Sequence, residues 1–525
     1  MTLTRAQDGS RRPVDGPPLG RALVRWGPLA VVLALQALLS VRLQATAFQD
    51  EALYLVYGHW YLDLWTGSAP AVQSSPESWM SGAPQLYPVL AGALDAVGGL
   101  QLARAASTAC MLAATAATWW TARTLFAPPR PGEGARPAAD LRSVVVGTVA
   151  AAAFAGSGSV LFLGHFATQD ALAVALLAWA LAVGVHAART TSGALRSAVL
   201  AGALLAAASY VKYSAAADAP FVLLAVALSG AADRAARPDR WRRSLRAGGA
   251  AAAAAAAGVV LPLLLGAGPL LQGVLTTTVD RDSLRPEATG ELLRVVLAGG
   301  GPVVALGLVG AVLLARAQPA LAAVLAAGSV AAPLYQVSTG ESVSLGKTVA
   351  LGVLFAAPLV GHLGAQLATR SLGTGLGAGL GAGLVAAALV AAGVQGAGAS
   401  ARMFSTWPDT AAVVEAVRPL VERHPGEPLA ADTPEPLQYG LVEETDPTQW
   451  SATWPGAFRY HGQQDLPAFE AALRDRTFAV VVLDGVSSPV SAPLQALVPA
   501  AGYRQAAVVT SPDGQRTWTV WERGA

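Results

Sequence analysis

A single cysteine, Cys110, stands among the 525 residues of this chain, so no intramolecular disulfide can form and the redox environment leaves no mark on the sequence. Charge is scarce as well. Asp, Glu, Lys and Arg make up 13% of the residues against 54% hydrophobic ones, which excludes an ordinary soluble globule. Between Arg42 and Arg104 there is no Lys or Arg at all. From about residue 400 onward no apolar run reaches spanning length, and nine arginines and no lysine stand against fifteen Asp or Glu. An acidic segment of that kind argues against nucleic acid or an anionic membrane surface as its partner. It also lacks metal-ligand spacing, a phosphate-cradling glycine loop and a Ser-His-Asp pattern.

What is present is a series of apolar runs, each about the roughly 20 residues that a spanning helix needs. Eleven are expected, near 27–45, 104–125, 143–163, 170–188, 196–210, 213–230, 247–267, 292–315, 319–337, 347–367 and 373–397. The fold class is therefore an α-helical polytopic membrane protein. Arg5, Arg11, Arg12, Arg21 and Arg25 precede the first run, and positive residues in short flanks stay cytoplasmic, so 1–26 reads as an inner, basic amino terminus. Threading the spans from there puts Arg123 to Arg142, Arg189 and Arg196, the six arginines from Arg234 to Arg246, Arg316 and Arg370 on the same inner side. The opposite side receives the loop 46–103, the turns at His165–Asp170 and Lys212, the loop 268–291, the loop at Glu341 and everything after 400. The moderately apolar piece 86–100 reads as a helix lying on or dipping into the outer face, since a further span there would invert every later loop. The run of alanines at 250–257 and the alternating glycines of 373–383 read as helix-packing surfaces. Residues 27–399 thus form the membrane domain.

Residues 400–525 form an extracytoplasmic α/β domain. Helices are expected at Thr410–Arg423, Pro467–Arg476 and about 490–500, strands at Pro428–Asp432 and 478–484, and a hairpin across Ser511-Pro-Asp-Gly514.

The stretch Phe48-Gln-Asp-Glu-Ala-Leu-Tyr54 is the chemically loaded one. Asp50 and Glu51 come directly after a membrane span, and Tyr54, Tyr57, His59, Trp60 and Tyr61 make the segment they open an interfacial helix in which carboxylates meet lipid-borne substrates. The plainer alternative is a pair of solvated loop acids. Further along, Asp170 caps a helix or serves a substrate, and His165 is a phosphate or metal ligand or a packed interfacial ring. Lys212, in a turn with almost no loop, snorkels to headgroups or binds a lipid-linked phosphate. Arg281 and Arg285 are weaker phosphate candidates inside a mixed-charge loop. No His and carboxylate spacing makes a metal compelling, and the cofactor is left unassigned.

The arrangement resembles the GT-C class of membrane glycosyltransferases, within it the protein O-mannosyltransferase and aminoarabinose transferase group. The likeness is carried by Asp50-Glu51-Ala-Leu-Tyr54, Pro84-Gln-Leu-Tyr-Pro88, Arg104, Asp170 and Lys212, and covers roughly residues 25–230. It implies an inverting glycosyltransferase that moves a sugar from a polyprenyl-phosphate donor to a hydroxyl of a glycan, lipid or protein acceptor on the outer face of the membrane. It further implies Asp50 as catalytic base, with Glu51 and Asp170 orienting neighbouring groups, and Lys212 on the donor phosphate. Tyr54, His59, His165, Arg281, Arg285 and Lys347 are the remaining substrate-side candidates. Two departures stand out: nothing basic lies in the first outer loop, where aminoarabinose transferases place a basic residue, and Ala83-Pro84-Gln85 replaces the His-Pro-Pro of O-mannosyltransferases. Neither group's acceptor preference carries over. A transporter or flippase of lipid-linked glycans is the alternative, and it would put charges at mid-span positions, of which there are almost none.

Overall fold

The computed structural model describes residues 18–68, 76, 80–126, 137–230, 238–265, 268–279, 287–340, 342, 344–371 and 375–524. Residues 1–17 of the basic amino terminus, 127–136 of the expected inner connection, Arg281 and Arg285, and Glu341 lie outside the described residues. Helix α1 (Pro18–Ser40) leads to α2 (Gln49–Thr66) and to the long α3 (Tyr87–Phe126). Then come α4 (Pro137–Ala155), α5 (Gly158–Leu163), α6 (Gln169–Arg189), α7 (Ala194–Val211), α8 (Ala219–Leu228) and α9 (Pro238–Leu264). The helical part closes with α10 (Gly268–Val274), α11 (Thr289–Gly299), α12 (Gly301–Ala315), α13 (Pro319–Ser338), α14 (Leu345–Ser371) and α15 (Gly375–Ser405).

Each of the eleven expected runs is largely helical among the described residues, but they are not eleven full spans. Among the described residues eight helices are long and apolar enough to cross a membrane, and nine if α11 and α12, bent by 77° at Gly300, count as one. The other two expected spans are interrupted. The run 143–163 is divided between α4 and α5, and 213–230 opens with a tight 3-10 turn at Tyr213–Asp218 before α8. Hydropathy registers composition and is blind to such breaks. Helices α14 and α6 are the central ones, with 94% and 78% of their spanning windows buried, against 17–44% for the other six.

The piece expected at 86–100 is the first part of α3, which leaves helical geometry at Gly98 and Gly99 before the span begins. Gly99 has φ +65°, a conformation that a residue with a Cβ adopts only under strain. Ahead of it, α2 crosses this first part at glycine contacts: a Cβ on Gly58 would fall 2.1 Å from the carbonyl oxygen of Pro88, and one on Gly92 2.6 Å from the backbone of Gly58. Helix α2 starts with Asp50 and Glu51 in its first turn, where carboxylates suit the helix dipole, and stops at Gly67, whose φ of +79° turns the chain.

Its start is pinned from inside. Glu51 and Arg104, both 0% exposed, form a bidentate pair at 2.6 and 2.9 Å. Arg104 also donates to the carbonyls of Leu43, Ala45 and Thr46, gathering the link between α1 and α2. Glu51 in turn accepts from the backbone N–H of Ala167 at 2.8 Å, which ties the turn before α6 to the same knot.

After α15 the chain forms an α/β domain: α16 (Ala411–Arg423), β1 (Leu429–Ala431), α17 (Glu435–Gly440), β2 (Trp450–Ala452), a small hairpin of β3 (Arg459–Tyr460) and β4 (Gln463–Gln464), α18 (Asp465–Arg474), β5 (Val480–Leu483), α19 (Ser491–Ala500), β6 (Tyr503–Thr510) and β7 (Thr517–Arg523). The main sheet has the order β2-β1-β5-β7-β6, parallel through β2, β1 and β5 and antiparallel beyond. Alternation along β5 sends Val480 and Val482 to one core with Val417 and Leu420 of α16, and Val481 and Leu483 to another with Phe469 of α18 and Leu494 of α19. The expected helices and strands are present; the sequence gives no local sign of α17, β2 or the small hairpin. The domain rests on α2 and its neighbours. Thr46 and Thr410 share a hydroxyl contact at 2.8 Å, and Tyr439 donates to Asp95 of α3 at 2.8 Å.

This packing sets two stability outcomes. Arg104→Ala or Glu51→Ala strands one buried charge and is expected to cost on the order of 3–5 kcal/mol, whereas Glu51→Gln combined with Arg104→Met recovers part of that loss. Thermal unfolding in detergent measures both, and single variants that melt like the native chain would remove the pair as the anchor. Gly58→Leu, by forcing α2 off α3, is expected to lower the midpoint by an amount corresponding to about 1–3 kcal/mol.

Candidate functional site

Three helices begin at one place. Asp50 lies in the first turn of α2, Asp170 in that of α6 and Lys347 in that of α14, and Lys212 sits at the residue that closes α7. Their side chains form an alternating row. Lys347 Nζ is 2.5 Å from Asp50 Oδ2 and 3.9 Å from Asp170 Oδ2, and Asp170 Oδ1 takes the ammonium of Lys212. Residues separated by as many as 297 positions in the chain thus share one set of charges. The ammonium of Lys347 also lies 5.9 Å from the ring centre of Phe166.

Each member is held by its surroundings. Thr168, which occupies the N-cap position of α6, donates its hydroxyl to Asp170 Oδ2 at 3.1 Å, so Asp170 is not the capping residue. The turn carrying Lys212 is laced to the segment before α3: Ala83 N–H donates to Tyr210 O, and Tyr213 N–H to Ser81 O. A Cβ on Gly82 would lie 2.1 Å from the carbonyl of Val211, so that segment can approach the turn only as glycine. Gln169, next to Asp170, donates to Ser81 Oγ at 2.7 Å.

Of the residues expected from sequence, Asp50, Asp170, Lys212 and Lys347 stand together, and Tyr54 belongs with them. Burial, then the charges of Asp50 and Asp170, push the Tyr54 phenol well above its ordinary range, while a hydrogen bond with Ser81 acts the other way. The phenol is a hydrogen-bonding group there, not an ionising one. Glu51 points away from its neighbour Asp50 and has both oxygens engaged in the Arg104 knot. His165 is buried beside Thr108, and burial with the nearby Arg104 brings it down to about 4, which leaves the ring neutral at pH 7. His59 is drawn off to Asp95 at 2.7 Å, the carboxylate that also receives Tyr439. Arg281 and Arg285 lie outside the described residues. Among the described residues no group of three His, Cys, Asp or Glu is arranged to hold a metal ion.

Sequence reasoning missed Glu435, in the first turn of α17. Burial, and after it the charge of Asp50, raise its carboxyl to about 7, and its Oε2 is buried with no hydrogen-bond partner. Nothing local marks it, because its neighbour in charge is almost 400 residues away. A usable signal did exist for the lysines. The chain has only two among its 35 basic residues, Lys212 and Lys347, and both are in this row.

The raised carboxyl has a pH signature. A folded-state value of about 7 above an ordinary 4.5 means that the neutral form stabilises the fold fully below about pH 4.5 and that this contribution is lost as pH rises through about 7. Glu435→Gln is therefore expected to unfold at a higher temperature than the native chain near pH 8 and at the same temperature near pH 4. Parallel midpoints at both pH values would show that Glu435 ionises normally.

No protein-family model matches the chain, and no curated protein matches it. Solved structures do. Two crystal structures of ArnT from Cupriavidus metallidurans, an aminoarabinose transferase of the GT-C class, one bound to undecaprenyl phosphate and one in the apo state, each superpose over 96% of this chain and 98% of their own with a TM-score of 0.57. Sequence identity to both is 14%, so the likeness is one of fold. Helical bundle, the helix-bearing loop after the first span and terminal α/β domain are all inside that overlap: the chain has the fold of the GT-C membrane glycosyltransferases.

Proposed function

We propose that this protein is an inverting glycosyltransferase that takes a sugar from a polyprenyl-phosphate donor and places it on an acceptor hydroxyl at the outer face of the membrane, with the α/β domain on that same side. The observation that carries the reading is the row Asp50–Lys347–Asp170–Lys212 at the meeting of three helix starts. Helix starts and lysines favour an anion between them, and the anion such a bilayer-facing position meets is the phosphate of a lipid carrier. One of the GT-C neighbours was crystallised with undecaprenyl phosphate, which supports a donor of that chemistry.

In this reading Lys212 and Lys347 bind the donor phosphate and stabilise the negative charge that grows on its bridging oxygen as the bond to the sugar's anomeric carbon breaks. The acceptor oxygen forms the new bond to that carbon from the opposite face, and its proton passes to Asp50. The electron pair of the broken bond leaves with the lipid phosphate. Asp170 keeps the two ammonium groups apart and aimed, and Tyr54 supplies a neutral hydrogen bond at the edge of the row. Glu51 positions Asp50 through the helix start and touches no substrate.

Transfer from a radiolabelled polyprenyl-phosphate sugar, in membranes with equal amounts of each variant, tests this. Asp50→Asn is expected to lower transfer by about 10²–10⁴-fold while donor binding persists, and Lys212→Met to weaken donor binding itself. Undiminished transfer by Asp50→Asn would remove it as the base. Consumption of no polyprenyl-phosphate donor, together with movement of such lipids across vesicles, would replace the reading with transport.

A further inference from the structure

A cavity of about 170 Å³ lies between the start of α2 and the α/β domain, and the row of charges does not use it. Phe48 and Gln49, the two residues before Asp50, form one wall. The others come from Trp407, Thr433, Trp454, Asp484, Arg516 and Trp518. We propose that this cavity is a carbohydrate subsite that seats one sugar ring of the acceptor and presents the neighbouring hydroxyl to Asp50, a proposal that rests on the glycosyl-transfer reading above and makes the acceptor a glycan.

The position in the sheet is the first argument. The cavity opens at the carboxyl ends of β1 and β5, beside Ala431 and Val482. From β1 the chain runs to β2 on one side, and from β5 it runs to the strands on the other, so this is where the connections part. In sheets with parallel strands such a crevice is where ligands bind, because diverging loops leave space that no side chain of the sheet fills.

The lining is the second. Three indoles face one small space, and flat aromatic surfaces suit the C–H faces of a sugar ring. Trp407 and Trp454 each also bury an indole N–H that has no hydrogen-bond partner. At the base Asp484 accepts from Ser487 and from Arg516 Nη1, the latter at 2.7 Å. Nη1 also donates to Ser487 Oγ at 2.8 Å, which leaves, among the described residues, Nε and Nη2 of Arg516 as donors in a planar fork that fits adjacent hydroxyls. Alternating flat apolar walls and fixed polar groups match a sugar better than a fatty chain, which has nothing to offer the guanidinium donors. The volume is below the roughly 300–1,000 Å³ of drug-sized sites and suits a single ring.

The link to the reaction centre is the third. Trp407 packs against Phe48 and stacks on Phe166 at 6.2 Å, and Phe166 is the ring beneath the Lys347 ammonium. Gln49, a wall of the cavity, bonds the carboxyl of Glu435, on which the charge of Asp50 also acts.

The test uses the full chain in lipid nanodiscs and saturation-transfer NMR with the methyl glycosides of glucose, galactose and mannose, without donor. At least one ring is expected to receive saturation from the protein. Binding should weaken by about tenfold or more in Trp454→Ala, which removes a wall, and in Thr433→Phe, which fills the space. Two variants acting by opposite means guard against a folding defect, and circular dichroism checks each. In the transfer assay the same variants should raise the KM for a glycan acceptor and leave the KM for the donor in place. Absence of saturation for all three sugars, or binding that both variants leave unchanged, overturns the subsite even where glycosyl transfer is demonstrated. Sugar binding that both variants abolish, with no donor consumed, keeps the subsite and overturns the transferase reading instead.

Discussion

The bidentate pair between Glu51 and Arg104 is the constraint on which the rest of the structure depends. A carboxylate and a guanidinium taken wholly out of water are costly unless every donor and acceptor is matched, and here the matching is done by parts of the chain that must otherwise be brought together. Three carbonyls of the α1–α2 link, the N–H before α6 and the first turn of α2 all converge on the two side chains. With α2 fixed in rotation, the residue before Glu51 is fixed too. Asp50 then faces the starts of α6 and α14.

That dependence explains why two adjacent acids have different roles. Successive helical residues project about 100° apart, so of an Asp-Glu pair at a helix start one can be buried in the bundle while its neighbour faces the open side. The pair was conspicuous in the sequence because charges beside a membrane span are rare. Which acid turned inward was not legible, because the answer lies with Arg104, 53 residues away, and with a backbone N–H 116 residues away. Lys212 and Asp170 stood out for the same reason as the acids, at the ends of apolar runs. His59 stood out equally and is engaged elsewhere, with Asp95 of α3, a residue 36 positions away that also receives Tyr439 of the terminal domain.

Legibility of the fold was uneven in a related way. Apolar runs and the later change to alternating strands are local patterns, and they marked the long helices of the bundle and most of the terminal domain, but not α10, which lies in the expected loop 268–291. Breaks were hidden. The 77° bend at Gly300 and the division between α4 and α5 come from how glycines meet neighbouring helices, as where a Cβ on Gly158 would press on Ala399. Hydropathy sums residues and carries no such contact. Glu435 was hidden for a different reason: a carboxyl becomes unusual only when burial and another carboxyl act on it together, and both arise from the terminal domain settling on α2.

The terminal domain is therefore more than an appendage to the bundle. Its β1 and β5 end against Phe48 and Gln49, its α17 brings Glu435 beside Asp50, and Tyr439 of the same helix reaches Asp95 on α3. A base at the surface of a bilayer would be surrounded by water and would act on any hydroxyl that diffused past it. In the proposed reading, covering Asp50 with a folded domain limits what can approach it, and the indole-lined cavity is the proposed seat of the acceptor. The lysines, on the other side of Asp50, belong to the ends of membrane helices. Asp50 thus lies between lysines held by the bundle and a carboxyl held by the terminal domain, and the proposed reading gives the first to a lipid-borne donor and the second to the acceptor side.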